Sequence, residues 1–121
     1  MKGPILYVED RPAIYRRPIY YLTEDNFVVV HYAWVEQAVN SINEGLEYKV
    51  AVFDLTFNDG VVEDLIRASK KKNPNVPIII YSSSAQGQYI HNSDVQINSF
   101  YDQDRCSSLK SAIERLLNPI K

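Results

Sequence analysis

At 121 residues the chain has the size of a single domain, residues 1–121, long enough to bury a sizeable core. A net charge of −2 with one basic cluster, Lys70-Lys71-Lys72, argues against a nucleic-acid surface, and the lone Cys106 excludes an internal disulfide and a cysteine metal site. No segment reaches membrane-spanning length and no signal peptide is visible, so a cytoplasmic chain without room for an attached output domain is expected.

The chain opens on the apolar run Ile5-Leu6-Tyr7-Val8, a buried-strand pattern that ends in Glu9-Asp10. Arg11-Pro12 follows, with Pro12 suited to the first turn of a helix. That helix would carry Ile14, Tyr15, Ile19 and Leu22, and Pro18 inside it predicts a kink or an early break. Phe27 to Tyr32 alternates as a second strand. Val35, Ala38, Val39 and Ile42 then recur at helical spacing, and Gly45 stops that helix.

Lys49-Val50-Ala51-Val52-Phe53-Asp54 is a short, β-branched run of the kind buried on both faces of a parallel sheet, and it closes on a carboxylate. Thr56 to Gly60 is a turn. Val62, Leu65, Ile66 and Ser69 share one face of a third helix, which Asn73-Pro74 ends; Lys70-Lys71-Lys72 suits its C-terminus, where cations are favoured. Pro77 to Tyr81 is another apolar strand, running into Ser82-Ser83-Ser84. Residues 85–94 are polar and predict at most a short, weakly held helix. Ile97 to Tyr101 reads as the last strand, and Leu109, Ile113, Leu116 and Leu117 mark a closing amphipathic helix.

Strands and helices therefore alternate five times. This order predicts an α/β architecture, (βα)5, with a doubly wound five-stranded parallel sheet covered by helices on both faces. In such a sheet every strand C-terminus lies along one edge, where open α/β sheets bind their ligands. Glu9, Asp10 and Asp54 would meet there. Three carboxylates in one crevice repel, and a hard divalent cation such as Mg²⁺ relieves the repulsion. A carboxylate beside Mg²⁺ can also act as a nucleophile toward a phosphoryl group.

Over nearly its whole length the sequence resembles the receiver domain of two-component response regulators, a flavodoxin-like fold. The residues that carry the resemblance are Ile5-Leu6-Tyr7-Val8-Glu9-Asp10, Ala51-Val52-Phe53-Asp54-Leu55 and Pro77-Ile78-Ile79-Ile80-Tyr81-Ser82. The resemblance implies a stand-alone phosphorelay domain in which Asp54 is the phosphoacceptor. Glu9, Asp10, Asp54 and the Thr56 carbonyl would hold Mg²⁺. Ser82 would bond the phosphoryl oxygen, and Phe100 or Ser99 would take the place of an aromatic switch, although Phe100 reads equally as core. The implied partners are a sensor histidine kinase or phosphotransfer protein and an output protein of unknown identity. No nucleic acid or membrane is implied, no turnover enzyme beyond autodephosphorylation, and homodimerisation is left open.

Two departures from the family pattern stand out. The lysine that ends the family's fifth strand falls here on Asp102 or Gln103, and no lysine occurs between residues 73 and 109. Arg105, at the start of the last helix, is expected to point to solvent. The turn after Asp54 is shorter than is usual and carries Phe57-Asn58-Asp59-Gly60. These departures sustain an alternative, a pseudo-receiver interaction module that works without phosphorylation. A phosphohydrolase with an aspartyl nucleophile is disfavoured, because Thr56 stands where its second acid belongs. Trp34 is either a partial cover or an exposed contact, and His31 and His91 are read as structural. Cys106, at a helix start where its pKa can be lowered, is read as a small buried residue or a cap.

Overall fold

The computed structural model describes residues 2–83, 90 and 92–118. Ser84, His91 and most of the expected short helix over 85–94 lie outside the described residues. The elements in order are β1 (Lys2–Val8), α1 (Pro12–Glu24), β2 (Phe27–Tyr32), α2 (Val35–Asn43), β3 (Val50–Phe53), α3 (Val62–Lys72), β4 (Ile78–Ser82), β5 (Val95–Asn98), a 3-10 turn (Ser99–Tyr101) and α4 (Ser107–Leu117). All strand pairs are parallel, and the sheet order is β2-β1-β3-β4-β5. None of the described helices is long and apolar enough to cross a membrane.

The strand period of two divides the core. Leu6, Val8, Ala51, Phe53, Ile78 and Ile80 pack toward α2 and α3, meeting Ala38, Ile42, Leu65 and Ile66. Ile5, Tyr7, Val50, Val52, Ile79 and Tyr81 pack the other way, toward Leu22 of α1 and Leu109, Ala112 and Ile113 of α4. Both faces of the central strands are thus covered, which is why these strands read as continuous apolar runs.

Two expectations are corrected. Pro18 does not break α1: the helix continues to Glu24, and the buried proline ring becomes part of its packed face. The last strand is Val95–Asn98, not 97–101. Asn98 ends it by accepting the Phe100 N–H on its side chain, which bends the chain into the 3-10 turn. As a result Phe100 is 64% exposed and is not a core residue.

Candidate functional site

The site follows from the strand register. Val8 of β1 lies opposite Phe53 of β3, so Glu9 and Asp54 are the next residues beyond the paired ends. The backbone holds them there: the Glu9 N–H donates to the Tyr32 carbonyl at 3.2 Å and the Asp54 N–H to the Val8 carbonyl at 3.3 Å. Alternation sends both side chains to the face shared with Tyr7 and Val52, the α1/α4 side. Asp10 is out of phase with them. Its Oδ2 accepts the N–H of Asn58, in the loop after β3, at 3.2 Å.

Glu9 and Asp54 are almost fully buried, at 1% and 2% exposure. The cation between them is Arg11, at the mouth of α1. Its Nε donates to Glu9 Oε1 at 3.0 Å and its Nη2 to Asp54 Oδ2 at 2.7 Å. The Arg11 backbone N–H also donates to Glu9 Oε1, at 3.0 Å, and Asp54 Oδ1 accepts the Leu55 N–H at 2.8 Å. The Ser82 hydroxyl, ending β4, stands close enough to Asp54 to favour its ionised form.

The two carboxyls titrate apart. Burial, reinforced by the hydrogen bond to Asp54 and its charge, pushes Glu9 up to about 8 against the pull of Arg11. Burial acts on Asp54 in the same sense, but hydrogen bonds from Glu9, Ser82, the Leu55 N–H and Arg11 outweigh it and hold Asp54 below the usual carboxylate range. The two carboxyls thus form a coupled pair in which Glu9 is the more readily protonated member and Asp54 the more acidic one.

Among the described residues, Glu9 Oε2 is buried without a hydrogen-bond partner when both carboxyls are ionised. A shared proton or a cation satisfies it. No three acidic, histidine or cysteine side chains among the described residues gather closely enough to hold an ion together. Mg²⁺, however, is commonly held by one or two carboxylates with water and phosphate oxygens completing its shell. The hard oxygens of Glu9 and Asp54, with the orphaned Oε2, fit such an ion. Thr56, two residues after Asp54, is exposed and joined to Val61 by a single antiparallel bridge that shapes the loop. That loop is fastened to α2: Asp59 accepts the N–H groups of Val35 and Glu36 at 3.0 and 3.1 Å.

Neither residue at the place of the absent lysine faces the crevice. Asp102 is 3% exposed and serves α4, accepting the Ser108 N–H at 2.9 Å on Oδ1 and the Leu109 N–H at 3.1 Å on Oδ2. The Tyr81 hydroxyl donates to the same Oδ2 at 2.9 Å. A helix N-terminus attracts a carboxylate through its free N–H groups, so the Asp102 carboxylate is satisfied by the start of α4 rather than turned toward the site. Gln103 is exposed; its side-chain amide donates to the Phe100 carbonyl, and its own carbonyl accepts from Arg17. Phe100, in the 3-10 turn, is largely exposed and packs edge to face with Tyr101.

Arg105 leaves the site as expected, pairing with Glu24 at 3.3 Å. Cys106 is buried, and burial raises its thiol pKa, contrary to the lowering a helix start can produce. His31 donates its Nε2–H to the Glu9 carbonyl at 2.8 Å while its ring lies against Tyr15, a supporting role beside β1. Trp34 is exposed to 44%, just before α2. Arg11 is the residue that sequence reasoning missed. The available signal was its place directly after the acidic pair, at a helix mouth.

No family model and no curated protein matches the sequence. Solved structures do. The receiver domain of the sensor histidine kinase PA1611 from Pseudomonas aeruginosa, with magnesium in its active-site cleft, superposes with a TM-score of 0.81 at 22% identity, covering 97% of this chain and 98% of that one. The response regulator TrrA of Thermotoga maritima, in complex with Mg²⁺ and BeF, gives 0.80 at 21% identity over 97% and 100% of the two chains. The chemotaxis response regulator CheY4 of Vibrio cholerae gives 0.79 at 13% identity over the same shares. The expected five-stranded, doubly wound sheet is thus found in full, and the chain has the fold of a response-regulator receiver domain.

Proposed function

We propose that this chain is a receiver domain of two-component signalling, a regulatory phosphoacceptor that takes a phosphoryl group on Asp54. The observation that carries the reading is the placement of Asp54: a buried acid just beyond the end of the central strand, beside the buried Glu9 and near Ser82, with a backbone N–H and a guanidinium donating to its oxygens. Its depressed pKa keeps the nucleophile ionised at neutral pH. An Asp54 oxygen attacks phosphorus of a phosphohistidine on a sensor kinase or phosphotransfer protein. The P–O bond forms as the P–N bond breaks, and the imidazole leaves with the bonding pair and takes up a proton.

Mg²⁺ held by Glu9 and Asp54, with Asp10 and the Thr56 carbonyl as further candidates, would supply the positive charge that offsets the carboxylates and the incoming phosphoryl oxygens. Ser82 donates its hydroxyl to a phosphoryl oxygen, and the added charge of roughly −1.5 to −2 is what biases the surrounding loops toward an output protein. Incubation with acetyl phosphate and Mg²⁺ tests the reading. A mass gain of one phosphoryl group, absent in Asp54→Asn, is expected; an unmodified wild-type chain overturns it.

The Arg11 bridge favours a second reading, the pseudo-receiver. A chain that carries its own counter-ion on Asp54 can hold one conformation without phosphate, and its partner contacts would then survive in Asp54→Ala.

A further inference from the structure

Arg11 does something that neither phosphate chemistry nor the fold requires of it. Its guanidinium forks across two carboxylates, Nε on Glu9 and Nη2 on Asp54, at 3.0 and 2.7 Å. This is the position of a bridging cation. The two acid side chains are each 1% exposed, whereas that of Arg11 is 47% exposed. The bridge is therefore asymmetric: the acids are fixed at strand ends, and the cation can leave toward solvent from the mouth of α1 without uncovering the core.

We propose that Arg11 is a tethered counter-cation that competes with divalent metal for the Glu9–Asp54 oxygens, so that metal enters only as the guanidinium swings out. This inference rests on the proposed Mg²⁺ site and adds the gate that controls it. The tether also explains why the crevice tolerates two buried acids with no lysine on the β5 side. Arg11 sits at the N-cap position of α1 with extended backbone, φ −105° and ψ 111°, and its own N–H is satisfied by Glu9. The backbone therefore stays in place while the side chain changes partners. Planarity matters here, because a guanidinium can bond two carboxylates in one plane, whereas an ammonium acts as a point charge.

Calorimetric titration with Mg²⁺ alone, without any phosphodonor, tests the competition. Arg11→Gln is expected to bind Mg²⁺ about two- to fivefold more tightly than wild type, the range that loss of a half-exposed ion pair supports. Arg11→Lys is expected to fall between the two. In wild type, ¹⁵N spectra should show the Arg11 Nε–H resonance leaving its hydrogen-bonded position as Mg²⁺ is added, a readout that does not depend on any variant folding. Equal or weaker Mg²⁺ binding by Arg11→Gln, an Arg11 resonance indifferent to Mg²⁺, or no Mg²⁺ binding by either protein overturns the proposal. Failure of Asp54 to take a phosphoryl group leaves these titrations unaffected, so the two readings fail separately.

Discussion

The Tyr81 hydroxyl and the Asp102 carboxylate are joined at 2.9 Å inside the protein, and through that bond the end of β4 is tied to the first turn of α4. Asp102, one of the two residues on which the family's lysine position falls, is here a structural acid. Its carboxylate is saturated by one hydroxyl and two backbone N–H groups.

Asp102→Ala should therefore cost stability rather than site chemistry. Losing the cap is worth about 0.5–2 kcal/mol, and stranding the buried Tyr81 hydroxyl adds about 1–3 kcal/mol. Asp102→Lys should be worse, because it sets a cation against a helix N-terminus in a buried place. Urea unfolding at equilibrium measures both. A lysine variant as stable as wild type would refute this account of Asp102.

Glu9 makes the stability of the metal-free protein depend on pH. Its folded pKa, about 8, lies above its ordinary value of 4.5, so between these values the folded state holds a proton that the unfolded state has lost. This contribution is complete below about pH 4.5 and disappears as pH rises through 8. Its slope is at most about 1.4 kcal/mol per pH unit. Asp54, held below its ordinary value, acts in the opposite sense, stabilising above the carboxylate range and failing on acidification. Thermal unfolding in chelator across pH 4.5 to 8 should show wild type losing ground relative to Glu9→Gln. Parallel profiles would contradict the assignment.

Asp59 caps a helix to which it does not belong, accepting two N–H groups at the start of α2. Asp59→Ala should destabilise by about 1 kcal/mol, as loss of an N-cap does. Asp59→Asn should recover most of that. Beside it, Gly60 has no room for a side chain, since an added Cβ would lie 3.0 Å from Val35 Cγ1. Gly60→Ala should thus loosen the same junction, seen as faster hydrogen exchange at Val35 and Glu36.

Two phenylalanines separate core from surface. Phe53 is fully buried in β3, and Phe53→Ala should cost about 3–5 kcal/mol. Phe100 is largely exposed, and Phe100→Ala should stay within about 0.5 kcal/mol of wild type. Denaturant midpoints settle the contrast; a large loss at Phe100 would mean that the ring packs elsewhere in solution.

These contrasts show what a sequence of this kind discloses. The strands were legible because burial on both faces forces continuous apolar runs, and the acids were legible because they interrupt such runs at their ends. The period of two, which grouping all three acids in one crevice overlooked, sets Asp10 out of phase with Glu9 and Asp54. Arg11 was not legible in the same way: its pairing with Asp54 spans 43 positions and depends on the reach of a flexible side chain, which no local pattern records. Asp102 escaped for a different reason. Arg105 and Cys106 take left-handed conformations, φ 53° and 54°, and fold the chain so that an acid five residues before α4 reaches its first turn. Cap patterns look only at the residue next to the helix. Phe100 was misplaced because a polar Asn98 that bonds its own backbone can stop a strand before its aromatic residues are used.

The Asp59 clasp has an optical consequence. The loop that leaves Asp54 is fastened to the first turn of α2, and the residue before that turn is Trp34, the only tryptophan in the chain and partly open to water. Any rearrangement that begins at the acid and pulls on the clasp alters the solvent around a single indole. The protein thus carries an intrinsic emission probe beside the anchor point of that loop, and its response can be followed without a label.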